Sequence, residues 1–271
     1  MEHAQGDFRF HADFRSQFLE HGRTVAVYLP PGYWVEPEEK HPVLYLHDGQ
    51  NVFDATTAAF GVEWGAGATA DRLIGEGKID PLIIVAIFNT SARIDEYTPH
   101  RDPRRDQGGK GADYARFVVE ELKPFIDREY RTRPEREHTA VAGSSLGGLI
   151  SLAIAWLHPD VFSMCGAMSP SLWWMESEIW GEFDRRPDWP QGIRFWIDMG
   201  TRETQGAEDN LGLVLRSREL VERLQTARLR PGIDYRYLEV KGGEHSEAAW
   251  AARFDQVLTF FFSREFPGIT G

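Results

Sequence analysis

Two stretches of this chain, "VLYLHD" (43–48) and "PLIIVAIF" (81–88), are apolar with almost no interruption and too short for ordinary helices. A strand with water on one face alternates apolar and polar residues; a strand covered on both faces does not. Two such strands therefore predict a parallel sheet buried between helical layers. "HTAVAG", "SMCGAMS", "RFWIDMG" and "YRYLEV" continue the series further along the chain. Nearer the start, "SQFLE" and "RTVAVYLP" flank His21-Gly22 and predict a hairpin. About eight strands result.

Helical patterns separate them. Asp113 is placed to cap "YARFVVEELKPFIDREY", whose Pro124 predicts a kink. "GLISLAIAWLHP" is apolar nearly all round and predicts a buried helix. "NLGLVLRSRELVERLQTARL" and "EAAWAARFDQVLTFFFSREF" are amphipathic. Strands alternating with helices imply right-handed crossovers and helices on both faces. Without a repeat, a low-complexity tract or a Gly/Ser linker, the expectation is one domain over residues 1–271. Two connections are too long for simple turns, residues 89–112 and 169–192; the second holds four of the nine tryptophans. Long loops at the C-terminal ends of parallel strands are where a ligand crevice is expected.

The corner between "HTAVAG" and "GLISLAIAWLHP" reads "GSSLGG", residues 143–148. Gly143, Ser145 and Gly147 fit G-x-S-x-G, in which a strand turns sharply into a helix with serine at the apex. The Leu146 amide, next along, points to an oxyanion site at the helix start. The loop after the third strand, "LHDGQNVFD", offers the second donor, the Gln50 amide, with Gly49 allowing close approach. A serine nucleophile needs a base, and His245 lies between the last strand and the last helix. His47 reads as a structural partner of its loop, His138 opens a strand and His158 sits at a helix end. The acid should fall between serine and histidine in the chain. Asp198 lies within a strand, Glu203 in the loop beyond it, and Asp209 at the next helix start. Loop placement favours Glu203, with Asp209 as the alternative.

Composition excludes other classes. The net charge of −12 argues against nucleic acid, whose phosphates need clustered Lys and Arg. The charged cluster 101–105 mixes signs and reads as a solvated loop. Cys165 is the one cysteine, set in an apolar run, so no intrachain disulfide is expected and the thiol reads as a small buried hydrophobe. The first residues lack a basic, apolar leader, and no stretch reaches the length of a membrane helix. The expectation is a cytoplasmic chain without metal or cofactor and without nucleic-acid or membrane partners; the sequence leaves room for a homo-oligomer.

"VLYLHDGQNVFD", "EYTPHR", "GSSLGGLISL", "MSPSLWW", "DMGTRE" and "GEHSEAAWAARF" together resemble the putative esterase family of α/β-hydrolases. That family takes in feruloyl and acetyl-xylan esterases, enterochelin-type siderophore esterases, S-formylglutathione hydrolase and mycolyltransferases. The resemblance runs over residues 43–254. It implies an α/β-hydrolase fold with an eight-stranded, mostly parallel sheet. It implies a serine esterase with Ser145 as nucleophile, His245 as base and the acid at Glu203. Many relatives carry Asp there, which keeps Asp209 open. It also implies that "EYTP" and "SPSLWW" line the pocket. Arg93 and Tyr97 in one long loop, and Trp173 and Trp174 in the other, would suit an aryl or sugar-bearing ester. An acyltransferase using the same triad, or a silent hydrolase fold that only binds, stays open.

Overall fold

The computed structural model describes residues 5–177, 179–184 and 189–264. The strands are β1 (Asp7–Phe14), β2 (Arg23–Leu29), β3 (Val43–His47), β4 (Ile83–Ile87), β5 (Arg101–Asp102), β6 (Gln107–Gly108), β7 (Thr139–Ser144), β8 (Met164–Met168), β9 (Arg194–Arg202) and β10 (Tyr235–Glu244). The helices are α1 (Ala66–Gly75), α2 (Arg93–Glu96), α3 (Gly111–Arg116), α4 (Lys123–Glu129), α5 (Leu146–Leu157), α6 (Ile179–Asp184), α7 (Ala207–Thr226) and α8 (Glu247–Phe262).

Eight strands form one sheet in the order β1-β2-β4-β3-β7-β8-β9-β10. Within it only the β1–β2 and β2–β4 pairs are antiparallel; β4, β3, β7, β8, β9 and β10 run parallel, and β5 and β6 form a separate antiparallel pair. This is the α/β-hydrolase architecture that the resemblance implies, and its parallel strands, covered on both faces, account for the unbroken apolar runs. Alternate residues of each strand feed two cores. Val43 and Tyr45 join α3, α4, α5 and α7 on one face. Leu44 and Leu46 join α1 and α8 on the other. Every residue of β3 and β4 is buried.

The strand order fixes where a site can be. From β3 the chain steps outward to β4, then crosses back over β3 to β7 and continues the other way. The C-terminal ends of β3 and β7 therefore diverge at the reversal, which opens a crevice. "LHDGQ" and "GSSLGG" both start there.

Three local expectations are corrected. "SQFLE" is irregular; the partner of β2 is β1, "DFRFHADF", reached through residues 15–22. β1 is an edge strand with Phe10 63% exposed, so its apolar residues do not report burial. Asp113 does not cap the helix, which begins earlier, at Gly111. The Pro124 kink takes the form of a π-turn over Phe117–Leu122 immediately before α4. Proline has no N–H to donate, and the wider i→i+5 register, as in Lys123 N–H to Val118 O, accommodates that loss. Parts of the predicted loop 169–192 (178 and 185–188), residues 1–4 and the tail of the last helical pattern (265–266) lie outside the described residues.

Candidate active site

Ser145 joins β7 to α5 with φ 58° and ψ −123°, a backbone region that side-chain-bearing residues avoid. The turn is this tight because Gly143 and Gly147 touch. A Cβ on Gly143 would stand 2.8 Å from the carbonyl atoms of Gly147. Ser145 O accepts from Leu149 N–H (3.1 Å), which starts α5. Leu146 N–H precedes that bond and has no intrahelical acceptor. In the 3₁₀ turn Gly49–Asn51, Asn51 N–H to Asp48 O (2.9 Å) is likewise the first bond, so Gln50 N–H precedes it. Gly147 holds the two segments together, since a Cβ there would lie 3.3 Å from His47 Cβ. Gly49 does not serve the crevice as expected: its close approach is to β4, where a Cβ would meet Ala86 at 2.6 Å.

β10 ends at Glu244, and the next residue, His245, returns over the sheet edge to Ser145. His245 Nε2 lies 2.9 Å from Ser145 Oγ. His245 Nδ1 lies 2.5 Å from Glu203 Oε2. An ionised carboxylate only accepts, so Nδ1 carries the proton and neutral Nε2 accepts from the serine hydroxyl. Glu203 is buried, and its Oε1 accepts from Gly200 N–H (2.7 Å) and Ser169 Oγ (2.7 Å). Burial pushes this carboxyl up, but the bonds from His245, Ser169 and Gly200 outweigh it and hold the pKa below the ordinary value. Gly200 makes room as well as donating: a Cβ there would sit 2.4 Å from Glu203 Oε1. Asp209 is exposed in the first turn of α7, and the imidazole's carboxylate partner is Glu203. Asp198 points into packing, paired with Arg253 at 2.7 Å.

The remaining expected side chains separate into two groups. Trp173 is 40% exposed and lines a cleft of about 530 Å³ with Pro170, Met199, Leu213, Glu203 and His245. A second cleft of about 690 Å³, with Arg202, Asn210 and Arg218 in its wall, is also lined by His245 and Glu203. Tyr97 and Trp174 are corrected from substrate contacts to packing. Tyr97 has no exposed surface; its hydroxyl accepts Asp48 N–H (3.2 Å) and its ring packs on His47 and Tyr114. Trp174 is buried and donates to His100 O (2.8 Å), tying loop 169–192 to loop 89–112. Arg93 grips Asp48 through two 2.7 Å bonds, so it fixes the Gln50 turn. Asn89 adds a third bond to Asp48 at 2.6 Å.

Sequence reasoning gave no role to Asn51 and Glu247, and took Ser169 and Ser171 only as part of the pocket-lining "SPSLWW". Ser171 Oγ lies 3.2 Å from Ser145 Oγ. Asn51 donates to Glu247 Oε1 (3.0 Å), which links the Gln50 turn to the start of α8. Burial raises the Glu247 pKa against the bond that it accepts from Trp64. The "SPS" after β8 was the one available signal, a polar pair in an otherwise apolar strand end. Among the described residues, no group of three or more His, Cys, Asp or Glu could hold a metal ion, and no helix is long and apolar enough to cross a membrane.

On an α/β-hydrolase sheet, a glycine-flanked serine, a histidine and a glutamate thus stand in hydrogen-bonded series. The model of the family described as "Putative esterase" matches residues 16–261, and the chain belongs to that family. It is 30% identical over 152 residues to an endo-1,4-beta-xylanase/feruloyl esterase of Xylanibacter ruminicola, covering 54% of this chain and 19% of that one. It is 30% identical over 168 residues to the ferri-bacillibactin esterase of Bacillus subtilis, covering 56% and 55%. The enterobactin esterase of Shigella flexneri has the same fold, with a TM-score of 0.72 and 18% identity over 96% of this chain and 60% of that one. The aligned part thus spans under two thirds of each of these relatives.

Proposed function

We propose that this protein hydrolyses carboxylic esters through an acyl-enzyme on Ser145. The observation that carries the reading is His245, bonded at once to Ser145 Oγ (2.9 Å) and Glu203 Oε2 (2.5 Å). His245 Nε2 takes the serine proton as Oγ attacks the ester carbonyl. The tetrahedral oxyanion is held by the amides of Leu146 and Gln50, the free N–H groups at two helix starts. Glu203 keeps the imidazole in the Nδ1–H tautomer and stabilises its charged form. His245 returns the proton to the departing alcohol. Water, deprotonated by His245, then releases the acid and restores the serine.

The cleft beside Trp173 has one aromatic and several apolar walls, which supports an acyl group bearing an aromatic ring. Relatives named for feruloyl and siderophore esters support the same class. Acetylated sugars would use the polar cleft beside Arg202 and Asn210.

Hydrolysis of p-nitrophenyl acetate and butyrate tests the reaction. The wild-type protein should turn both over and label with a fluorophosphonate. Ser145→Ala should do neither while unfolding near the wild-type temperature. Glu203→Gln should cost far more turnover than Asp209→Asn; the opposite order would move the acid to Asp209, and an active Ser145→Ala would refute the nucleophile.

A further inference from the structure

Ser169 follows β8 with a left-handed backbone, φ 41°. It is buried. Its N–H faces both the main-chain oxygen (3.0 Å) and Oδ1 (3.1 Å) of Asp198. Its hydroxyl has three neighbours. Arg253 Nη2 donates to it at 2.9 Å, Trp250 Nε1 donates at 3.1 Å, and Glu203 Oε1 lies at 2.7 Å. A hydroxyl has one proton and two lone pairs. Guanidinium and indole N–H groups can only donate, so they fill both lone pairs. The single proton has one acceptor left, Glu203. The guanidinium is itself anchored, because the same Nη2 donates to Asp198 Oδ1 at 2.7 Å. One nitrogen with two hydrogens serves both acceptors.

We propose that Ser169 is the positioning residue of the acid: Arg253 and Trp250 commit its hydroxyl proton to Glu203 Oε1, which leaves Oε2 for His245. This rests on the reading of Glu203 as the triad acid. A glutamate has one more side-chain torsion than an aspartate and needs more pinning. Gly200 N–H pins Oε1 from within β9, and Ser169 Oγ pins it from the end of the neighbouring parallel strand β8. Trp250 also sets its ring edge against the imidazole, 4.8 Å between centroids at 84°. The same residue therefore touches both ends of the relay.

The test removes the hydroxyl in two ways. Ser169→Ala keeps a side chain in the left-handed backbone. Ser169→Gly deletes the same hydroxyl while relaxing that backbone, so it folds even where the alanine variant is weakened. Both should lower kcat by about 10- to 100-fold, the worth of one hydrogen bond to a charged group. KM for p-nitrophenyl butyrate should change less than about twofold, as for a group acting only in the chemical step. The decisive arm is a double-mutant cycle with Glu203→Ala, read by the rate of fluorophosphonate labelling, which can be followed over hours. Without the carboxylate there is nothing to position, and losing Ser169 should then cost less than about twofold. An equal cost with and without Glu203 would make Ser169 merely structural and overturn the proposal. So would an unchanged kcat, or a loss confined to KM. Wild-type labelling in Glu203→Ala, or any in Ser145→Ala, would instead sink the underlying triad reading.

Discussion

Replacing Ser145 by glycine should make the protein more stable than replacing it by alanine, although both remove the same hydroxyl. Ser145 is held at φ 58° and ψ −123°. A side-chain-bearing residue in such a region costs about 1–3 kcal/mol. Alanine retains that cost and glycine escapes it. Glycine in turn loses about 0.5–1 kcal/mol through the greater freedom of its unfolded chain. The difference is roughly 0.5–2 kcal/mol in favour of glycine. At about 2–4 °C per kcal/mol for a chain somewhat shorter than this one, the glycine variant should melt roughly 1–8 °C higher. Oγ is absent from both variants, so its bonds to His245 and Ser171 cancel from the comparison. Thermal and urea unfolding of the two proteins, side by side, measure the difference. An alanine variant as stable as the glycine variant, or more so, would show that the turn stores no strain. Its conformation would then need an explanation other than the close contact of Gly143 with Gly147.

Gly200→Ala should destabilise the fold by about 1–3 kcal/mol, as overpacking does. It should also lose turnover, because the new Cβ would lie 2.3 Å from Gly243 O and 2.4 Å from Glu203 Oε1; a urea midpoint and a turnover rate both at wild-type values would refute it. Stability should fall between pH 7 and pH 5. Burial, ahead of nearby charges, pushes His47 down to about 3 and His41 down to about 4, so the folded protein keeps both neutral while the unfolded chain binds protons below about pH 6.5. The stability that these groups contribute is complete above that pH and is lost as pH falls toward their folded values. The loss amounts to about 2 kcal/mol each by pH 5. A urea midpoint unchanged over this range, or the same slope in His47→Gln, would contradict it.

The parts of this site that a sequence reader can find are those whose geometry is local. The elbow is legible because Gly143, Ser145 and Gly147 must be near neighbours in the chain to be near neighbours in space. Glu203 is legible for the same reason: Gly200, three residues earlier, both vacates the space for Oε1 and donates to it. Direction is not local. Tyr97 and Trp174 read as pocket walls because they are aromatic residues in long loops, yet each turns inward, one under Asp48 and the other onto His100. Arg93 reads as a free cation for substrate and is taken up by Asp48. Nor is the network behind the acid local. Ser169 meets residues 34, 81 and 84 positions away, and nothing in the chain signals that three strand and helix ends converge on one hydroxyl. β1 escaped for a further reason, since its apolar alternation faces outward at a sheet edge.

That convergence bears on how a glutamate can serve as the acid of the proposed triad. Glu203 stands beyond the end of β9 and reaches back, so its carboxylate must be fixed in rotation as well as in place. Each of its oxygens has a separate task. Oε2 meets the imidazole alone, while Oε1 takes two donors from groups that cannot turn away: a strand amide, and a hydroxyl whose other bonds are dictated by arginine and tryptophan. The Arg253–Asp198 pair is buried, and both terminal nitrogens of Arg253 are engaged, Nη1 by Ala249 O and Nη2 by Asp198 and Ser169, so its role is to polarise the hydroxyl without offering a competing cation to the carboxylate. A direct Arg253–Glu203 contact would hold the acid more tightly and weaken its pull on the imidazole proton. One intervening hydroxyl fixes the orientation and leaves the charge for His245.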